Sequence, residues 1–265
     1  MAYSRDFSTL GCPDFTLEET LALAVKHGVD AVELRALGGS LELPAYLKEH
    51  YGTPAALAGK LRGQSVGIVS LSTSLHVTGG TVADREKFLE FVPWAEALGV
   101  RWLRVFDSDT TMQVDDFAQA AEMMHWWREQ RAAGGWRTNV MIETHGAMTT
   151  SGTIQKFLEA VPDGAILWDA HHTWKKGGED PLATWRAIRP NVVHVHVKDS
   201  IDVPSARHPF TYVLPGDGGF PMAPLAAVLR AEFDGAVSLE WEKLWHPSLP
   251  SLDEALSAAA ARAWW

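Results

Sequence analysis

Short apolar runs alternate with longer amphipathic ones along the whole chain. In the first half, "DFSTLG", "DAVELRA", "VGIVSLS" and "RWLRVFD" read as strands. In the second half, "NVMIETH", "AILWDAHH", "VVHVHVKD" and "AVSLEWE" continue the series. Helical patterns fill the intervals. "FTLEETLALAVKHG" carries a capping box, Thr16 with Glu19, and a Gly28 stop. Its Leu17, Leu21, Ala24 and Val25 are assigned to one face. "TPAALAGKLRGQ" starts on Thr53 as N-cap with Pro54 at the first helical position. Further helices are predicted at 83–98, 115–133, near 152–160, 181–188, 222–232 and 252–263. Strands that alternate with helices imply a parallel sheet. Eight such units in 265 residues, without a linker-like segment, predict a single (β/α)8 TIM barrel spanning 1–265. The open doubly wound sheet usually carries a glycine-rich phosphate turn after its first strand. "TLGCPDF" is not that turn.

The last four strands begin apolar and end polar. "MIETH" brings Glu143 and His145, and "LWDAHH" brings Asp169, His171 and His172. "HVHVKD" brings His194, His196, Lys198 and Asp199, and "LEWE" brings Glu240 and Glu242. In a parallel barrel these ends meet at one mouth, where active sites sit. Carboxylates converging there repel one another, and a divalent cation resolves the repulsion. One ligand per strand gives Glu143, Asp169, His196 and Glu240. Side chains two apart on a strand share a face, so His194 and His196 point the same way. His196 is nearer the mouth and is the better ligand, with His194 as a deeper partner. Three oxygens and one imidazole suit a single Mn²⁺ best, with Mg²⁺, Co²⁺ or Zn²⁺ as substitutes.

Composition narrows the partners. The formal charge of −10 works against nucleic-acid binding. A single cysteine, Cys12, forbids an intrachain disulfide. The opening lacks a signal-peptide core, and no run approaches the roughly 18 apolar residues of a membrane span. A cytoplasmic protein without membrane contact is expected. The 12 tryptophans are read mostly as packing residues, and the closing "ARAWW" as a candidate contact with a second copy of the chain.

Four segments in order carry a resemblance: the opening "STLGCPDFTLEETLALAVKHGVDAVELR", then "IETHG" with "HVHVKD", the "PGDGGFP" loop, and "SLEWEKLWHP". Together they resemble the xylose-isomerase-like superfamily of sugar isomerases and epimerases. The resemblance implies a TIM barrel, one divalent ion held by Glu143, Asp169, His196 and Glu240, and proton transfer by the two glutamates. His172 follows Asp169 as the superfamily's substrate-contacting histidine does. Asp217 stands where the superfamily often has Glu.

The chemistry suits the residues. Isomerisation of a sugar or polyol-derived ketone removes a carbon-bound proton beside a carbonyl and leaves an enediolate. A metal stabilises the oxyanion, and a carboxylate on each face, Glu143 and Glu240, moves the proton. His145, His172 and Lys198 are candidate contacts for substrate oxygens. Arg35, Arg104 and His76 end earlier strands and are weaker candidates, as are Trp94, Trp174 and Trp185. Glu242 reads as an ion-pair residue, His171 as a structural partner, and Asp107 and Asp109 as caps of the loop that follows them. No cluster of basic residues for a phosphate is apparent. A metal-dependent lyase or dehydratase of a keto-sugar or cyclic keto-acid is the first alternative. A non-catalytic sugar-binding subunit is another, and an abasic-site nuclease, which needs more metal ligands, is the weakest.

Overall fold

The computed structural model describes residues 3–108 and 111–265, so Asp109 lies outside the described residues. In chain order the strands are β1 (Ser4–Ser8), β2 (Ala31–Leu34), β3 (Gly67–His76), β4 (Trp102–Phe106) and β5 (Asn139–Glu143). They continue as β6 (Ala165–Asp169), β7 (Val192–Val197), β8 (Asp199–Ile201), β9 (Thr211–Val213) and β10 (Ala236–Leu239). Eight close into a barrel in the order β1-β10-β7-β6-β5-β4-β3-β2, with every pairing parallel. β8 and β9 form a separate antiparallel hairpin. The expected (β/α)8 barrel is therefore the observed fold.

The helices follow their local chemistry. In α1 (Leu17–His27) the box is reciprocal: Thr16 N–H donates to Glu19 Oε2 at 2.8 Å, and Glu19 N–H to Thr16 Oγ1 at 3.2 Å. Gly28 ends it at φ +60, a conformation that favours glycine. Leu17, Leu21 and Ala24 are buried as expected, but Val25 faces solvent. Thr20 and Leu23 fill the inner face instead. Helix α2 (Leu43–Tyr51) was not expected; Pro44 in its first turn marks it. Helix α3 (Pro54–Lys60) starts under the Thr53 cap.

The helix predicted over 83–98 is two, α4 (Val82–Leu89) and α5 (Val92–Leu98). Pro93 explains the break, because it has no N–H to continue the ladder and its ring crowds the preceding turn. Helices α6 (Val114–Gly134), α7 (Ser151–Ala160), α8 (Ala170–Lys175), α9 (Pro181–Ile188), α10 (Met222–Glu232) and α11 (Leu252–Ala261) complete the set. Of these, α8 and the β8–β9 hairpin are additions to the simple repeat. Both sit beyond C-terminal strand ends, the side of the barrel where loops build sites. Among the described residues, no helix is long and apolar enough to cross a membrane.

The main core lies between strands and helices. Trp94 and Trp185 are packed there, and Trp185 stacks on Trp168 with centroids 6.0 Å apart. Trp264 and Trp265 are also buried against the chain's own core. The expectation of an exposed tryptophan patch at "ARAWW" is thereby corrected: the two rings cover apolar surface of the same barrel.

Cys12 is buried, and that burial pushes its thiol up to about 12. At pH 8 only about one molecule in 10⁴ then carries the reactive thiolate. A disulfide reagent at pH 8 is expected to leave native protein unmodified over hours and to label one thiol on denaturation. Rapid native labelling would contradict the burial.

Candidate metal centre

The barrel's alternation builds the site. Met141 and Glu143 share one face of β5, and Leu167 and Asp169 share one face of β6. His194 and His196 do the same on β7, and Ser238 points with Glu240 just past β10. Strand register aligns them, with Asp169 opposite His196 and His196 opposite Ser238. Glu143, Asp169, His196 and Glu240 are all buried. Each offers a ligand atom, and these atoms lie within 4.8 Å of one another. His196 Nδ1 is 3.3 Å from Glu240 Oε1 and 3.7 Å from Glu143 Oε1.

Asp169 has a divided task. Its Oδ1 accepts from the His172 N–H at 2.8 Å and so caps α8. Its Oδ2 is left for the site. Glu143 Oε2, Asp169 Oδ2 and His196 Nδ1 are buried without an aligned hydrogen bond. Lys198 Nζ is 2.8 Å from Asp169 Oδ2 and Arg104 Nε is 3.2 Å from Glu143 Oε2, both ion pairs off hydrogen-bond alignment. Converging, partly unsatisfied O and N donors of this kind fit a divalent cation.

Charges within the chain already hold the acids ionised. Burial opposes the carboxylate at Glu240, but His196 and Lys198 outweigh it and hold the group well below its usual range. Glu143 is likewise lowered, with Arg104 overcoming burial. Asp169 is the exception: burial prevails over Lys198, and its carboxyl rises to about 6. Burial disfavours an imidazolium at His196, yet Glu240 and Glu33 push that group well above the usual value.

Beneath the four lies a layer in which His194 is the expected deeper partner, while its acids, Glu33 and Asp6, were not read from the sequence. His196 Nε2 is 2.9 Å from Glu33 Oε2, which fixes the ring and turns Nδ1 toward the other ligands. His194 Nε2 lies 3.6 Å from both Glu33 and Asp6. Glu33, His194 and His196 form a second group with ligand geometry. The readable signal was a carboxylate between Val32 and Leu34 in a core strand.

The profile of the xylose isomerase-like TIM barrel family matches residues 21–264. The chain belongs to that family. No curated protein sequence matches it. Among solved structures it is similar to the probable 3-DHS dehydratase AsbF involved in petrobactin synthesis from Bacillus anthracis. That match has TM-score 0.79 and 18% identity, covering 98% of this chain and 99% of that one. The IolI protein, solved with a binding zinc atom, matches with TM-score 0.75 and 18% identity, covering 98% and 96%. An AP endonuclease, family 2, from Brucella melitensis matches with TM-score 0.68 and 16% identity, covering 98% of each chain.

Above these four residues this xylose isomerase-like barrel opens a cavity of about 320 Å³. Glu143, Glu240, His145, His172, His76 and Glu242 line it, together with Arg35, Arg104, Lys176 and Arg207. A basic cluster is thus present although its members are scattered in sequence. His172 Nδ1 is 3.2 Å from the Thr144 carbonyl, which can only accept, so Nδ1 carries the proton. Burial, with Lys198 nearby, holds the ring well below its usual value and neutral. His145 is half-buried and meets His172 edge-on at 5.1 Å. Lys198 donates hydrogen bonds to Glu240 and to Glu242, the latter at 2.6 Å, and forms an ion pair with Asp169 at 2.8 Å. Glu242 also accepts from Tyr212 at 2.9 Å.

Two aspartates set the rim. Asp107 accepts the backbone N–H groups of His145, Gly146, Ala147 and Met148, so it clamps the loop after β5. Asp199 accepts those of Ser200, Gly216, Gly218 and Phe220. This explains "PGDGGFP": a Cβ on Gly218 would lie 2.2 Å from Asp199 Oδ1. Asp217 pairs with Arg262 at 2.5 Å. His171 sits apart, bonded to Ser200 at 2.8 Å among Trp174, Phe210 and Tyr212.

Protons compete with a cation here. Asp169 is neutral below about pH 6, and His196 is protonated until its carboxylates lose it to a metal. Mn²⁺ affinity is therefore expected to rise from pH 5 to 7 by about tenfold per unit or more. Proton release should be seen by calorimetry in two buffers. A flat affinity over that range would contradict the assignment.

Proposed function

We propose that the chain is a divalent-metal-dependent isomerase or epimerase of a sugar or polyol-derived ketone. The observation that carries this reading is two buried carboxylates, Glu143 and Glu240, facing one cavity and both within 3.7 Å of His196 Nδ1. Glu143, Asp169, His196 and Glu240 would hold the ion, with Mn²⁺ favoured by three oxygens and one imidazole. Zinc is the main competitor, since a similar structure, the IolI protein, holds it. When bound, the ion supplies Lewis-acid stabilisation of an oxyanion beside the reacting carbon.

The chain's own residues do the rest. Glu143 or Glu240 takes the carbon-bound proton on its Oε atom and returns it to the neighbouring carbon or the opposite face. His172, neutral and protonated on Nδ1, presents Nε2 as an acceptor for a substrate hydroxyl. His145 offers its ring at the same wall. Lys198 steadies the acids as a fixed positive charge. Direct contact between its ammonium and substrate requires release from Glu242.

A second reading, dehydration or another elimination from a keto-acid, begins with the same proton removal. It is favoured by the cationic lining and by the likeness to the probable dehydratase over 98% of this chain. The two readings part in the product.

A panel of keto-sugars and keto-acids with Mn²⁺ in deuterated water separates them. Isomerisation incorporates deuterium at carbon without loss of water; elimination yields a product lighter by one water. Glu143→Gln and Glu240→Gln should each slow exchange by about 10²–10⁴-fold. Either glutamine variant turning over normally would defeat the acid–base assignment.

A further inference from the structure

Arg35 follows β2 directly and is almost fully buried, at 5% exposure. Thr9 Oγ1 accepts its backbone N–H at 2.8 Å and that of Ala36 at 3.0 Å, which fixes the turn. One guanidinium nitrogen, Nη2, donates to Ser74 at 2.9 Å. The other, Nη1, is buried with no partner among the described residues, and no carboxylate pairs with this side chain there. A buried cation without an acid in direct contact is costly, because it has lost water and has only the more distant charges of Glu143, Glu33 and Glu42 to offset that loss. Arg35 lines the cavity that also exposes Glu143 and Glu240.

Arg104 lines the same cavity. Its Nη1 donates to the Thr73 carbonyl at 3.0 Å, and its guanidinium lies 3.9 Å from the Phe106 ring centre. Both forks are thus held in place before any ligand arrives. Four cations on the lining (Arg35, Arg104, Lys176 and Arg207) face three carboxylates (Glu143, Glu240 and Glu242). Lys198 and Asp169 beneath cancel one another. A divalent ion would leave this chamber distinctly positive.

We infer that the substrate carries a carboxylate, bound by the unpaired edge of Arg35 with Arg104 beside it. The inference rests on the cavity being the substrate site, as proposed above. A guanidinium edge matches the two coplanar oxygens of a carboxylate. Arg104 is 3.2 Å from Glu143, so the anion sits next to the reacting carbons, not at the far end of a long sugar. A phosphate would need more free donors. Lys176 already donates to the His145 carbonyl at 3.1 Å, and Lys198 is taken by three acids.

Calorimetry with D-glycerate, glycerol and glycerol 3-phosphate tests this on full-length protein, with and without Mn²⁺. Wild type should bind glycerate about tenfold or more tightly than glycerol in both conditions. Arg35→Met should erase that preference, and Arg35→Lys should keep part of it. Arg35→Met should also melt at or above the wild-type temperature, since it removes an unpaired buried charge. A glycerate preference that survives in Arg35→Met overturns the inference, as does its absence in wild type. Tighter binding of glycerol 3-phosphate that depends on Arg35 reassigns the subsite to phosphate and overturns it too. A lower melting temperature of Arg35→Met overturns the premise that its guanidinium lacks a partner. The metal-free arm keeps the two ideas separate: protein that binds no Mn²⁺ but still prefers glycerate defeats the metal reading alone.

Discussion

Like-charge repulsion inside the barrel mouth is the constraint around which this structure is arranged. Glu143, Asp169 and Glu240 are buried together, and their oxygens converge on one imidazole. Two unit charges about 4 Å apart interact by about 4 kcal/mol at an effective dielectric of about 20. Three such acids carry repulsion comparable to a small domain's whole stability. The chain offsets it locally. Arg104 stands against Glu143, Lys198 against Asp169 and Glu240, and a protonated His196 between them. Burial adds its own cost at Asp169, whose carboxyl rises to about 6 despite its lysine neighbour. A group of acids this expensive to assemble is best explained by the cation it can hold.

The surrounding fold keeps that assembly rigid with one device used repeatedly: an acid that gathers backbone N–H groups. Asp169 caps α8 with one oxygen and offers the other to the site. Asp107 gathers four amides from the loop after β5, which carries His145. Asp199 gathers four from its own neighbour and the glycine loop before α10. Orphan backbone donors near a strand end are thereby satisfied without water, and the loops are fixed at the height of the ligands. The position of Glu33 under His196 extends the same logic downward.

Much of this was legible in the sequence because period-2 and period-3.6 patterns survive in every barrel unit. The convergence of the four strand-end residues could be read because a carboxylate after "ILW" or a histidine pair in "VHVHV" is expensive unless something compensates for it. Other features were hidden for physical reasons. Glu33 sits on β2, whose polar residues resemble an exposed edge until barrel closure turns them inward. The basic cluster comes from the turn after β2, from β4 and from two distant segments, so no window of sequence shows it. The break at Pro93 is a local rule overlooked within a long helical pattern. The tryptophans at the C-terminus looked exposed because sequence position says nothing about where a tail folds back.

The centre, the acid–base pair and the basic wall share a single premise: one cation bounded by Glu143, Asp169, His196 and Glu240. The most direct test is a crystal of the protein grown with Mn²⁺ and measured at the manganese absorption edge. The account predicts one strong anomalous peak within coordination distance of an atom from each of the four residues, lost in Asp169→Asn. A peak at Glu33 and His194 instead, or an ordered apo mouth at saturating Mn²⁺, would contradict it.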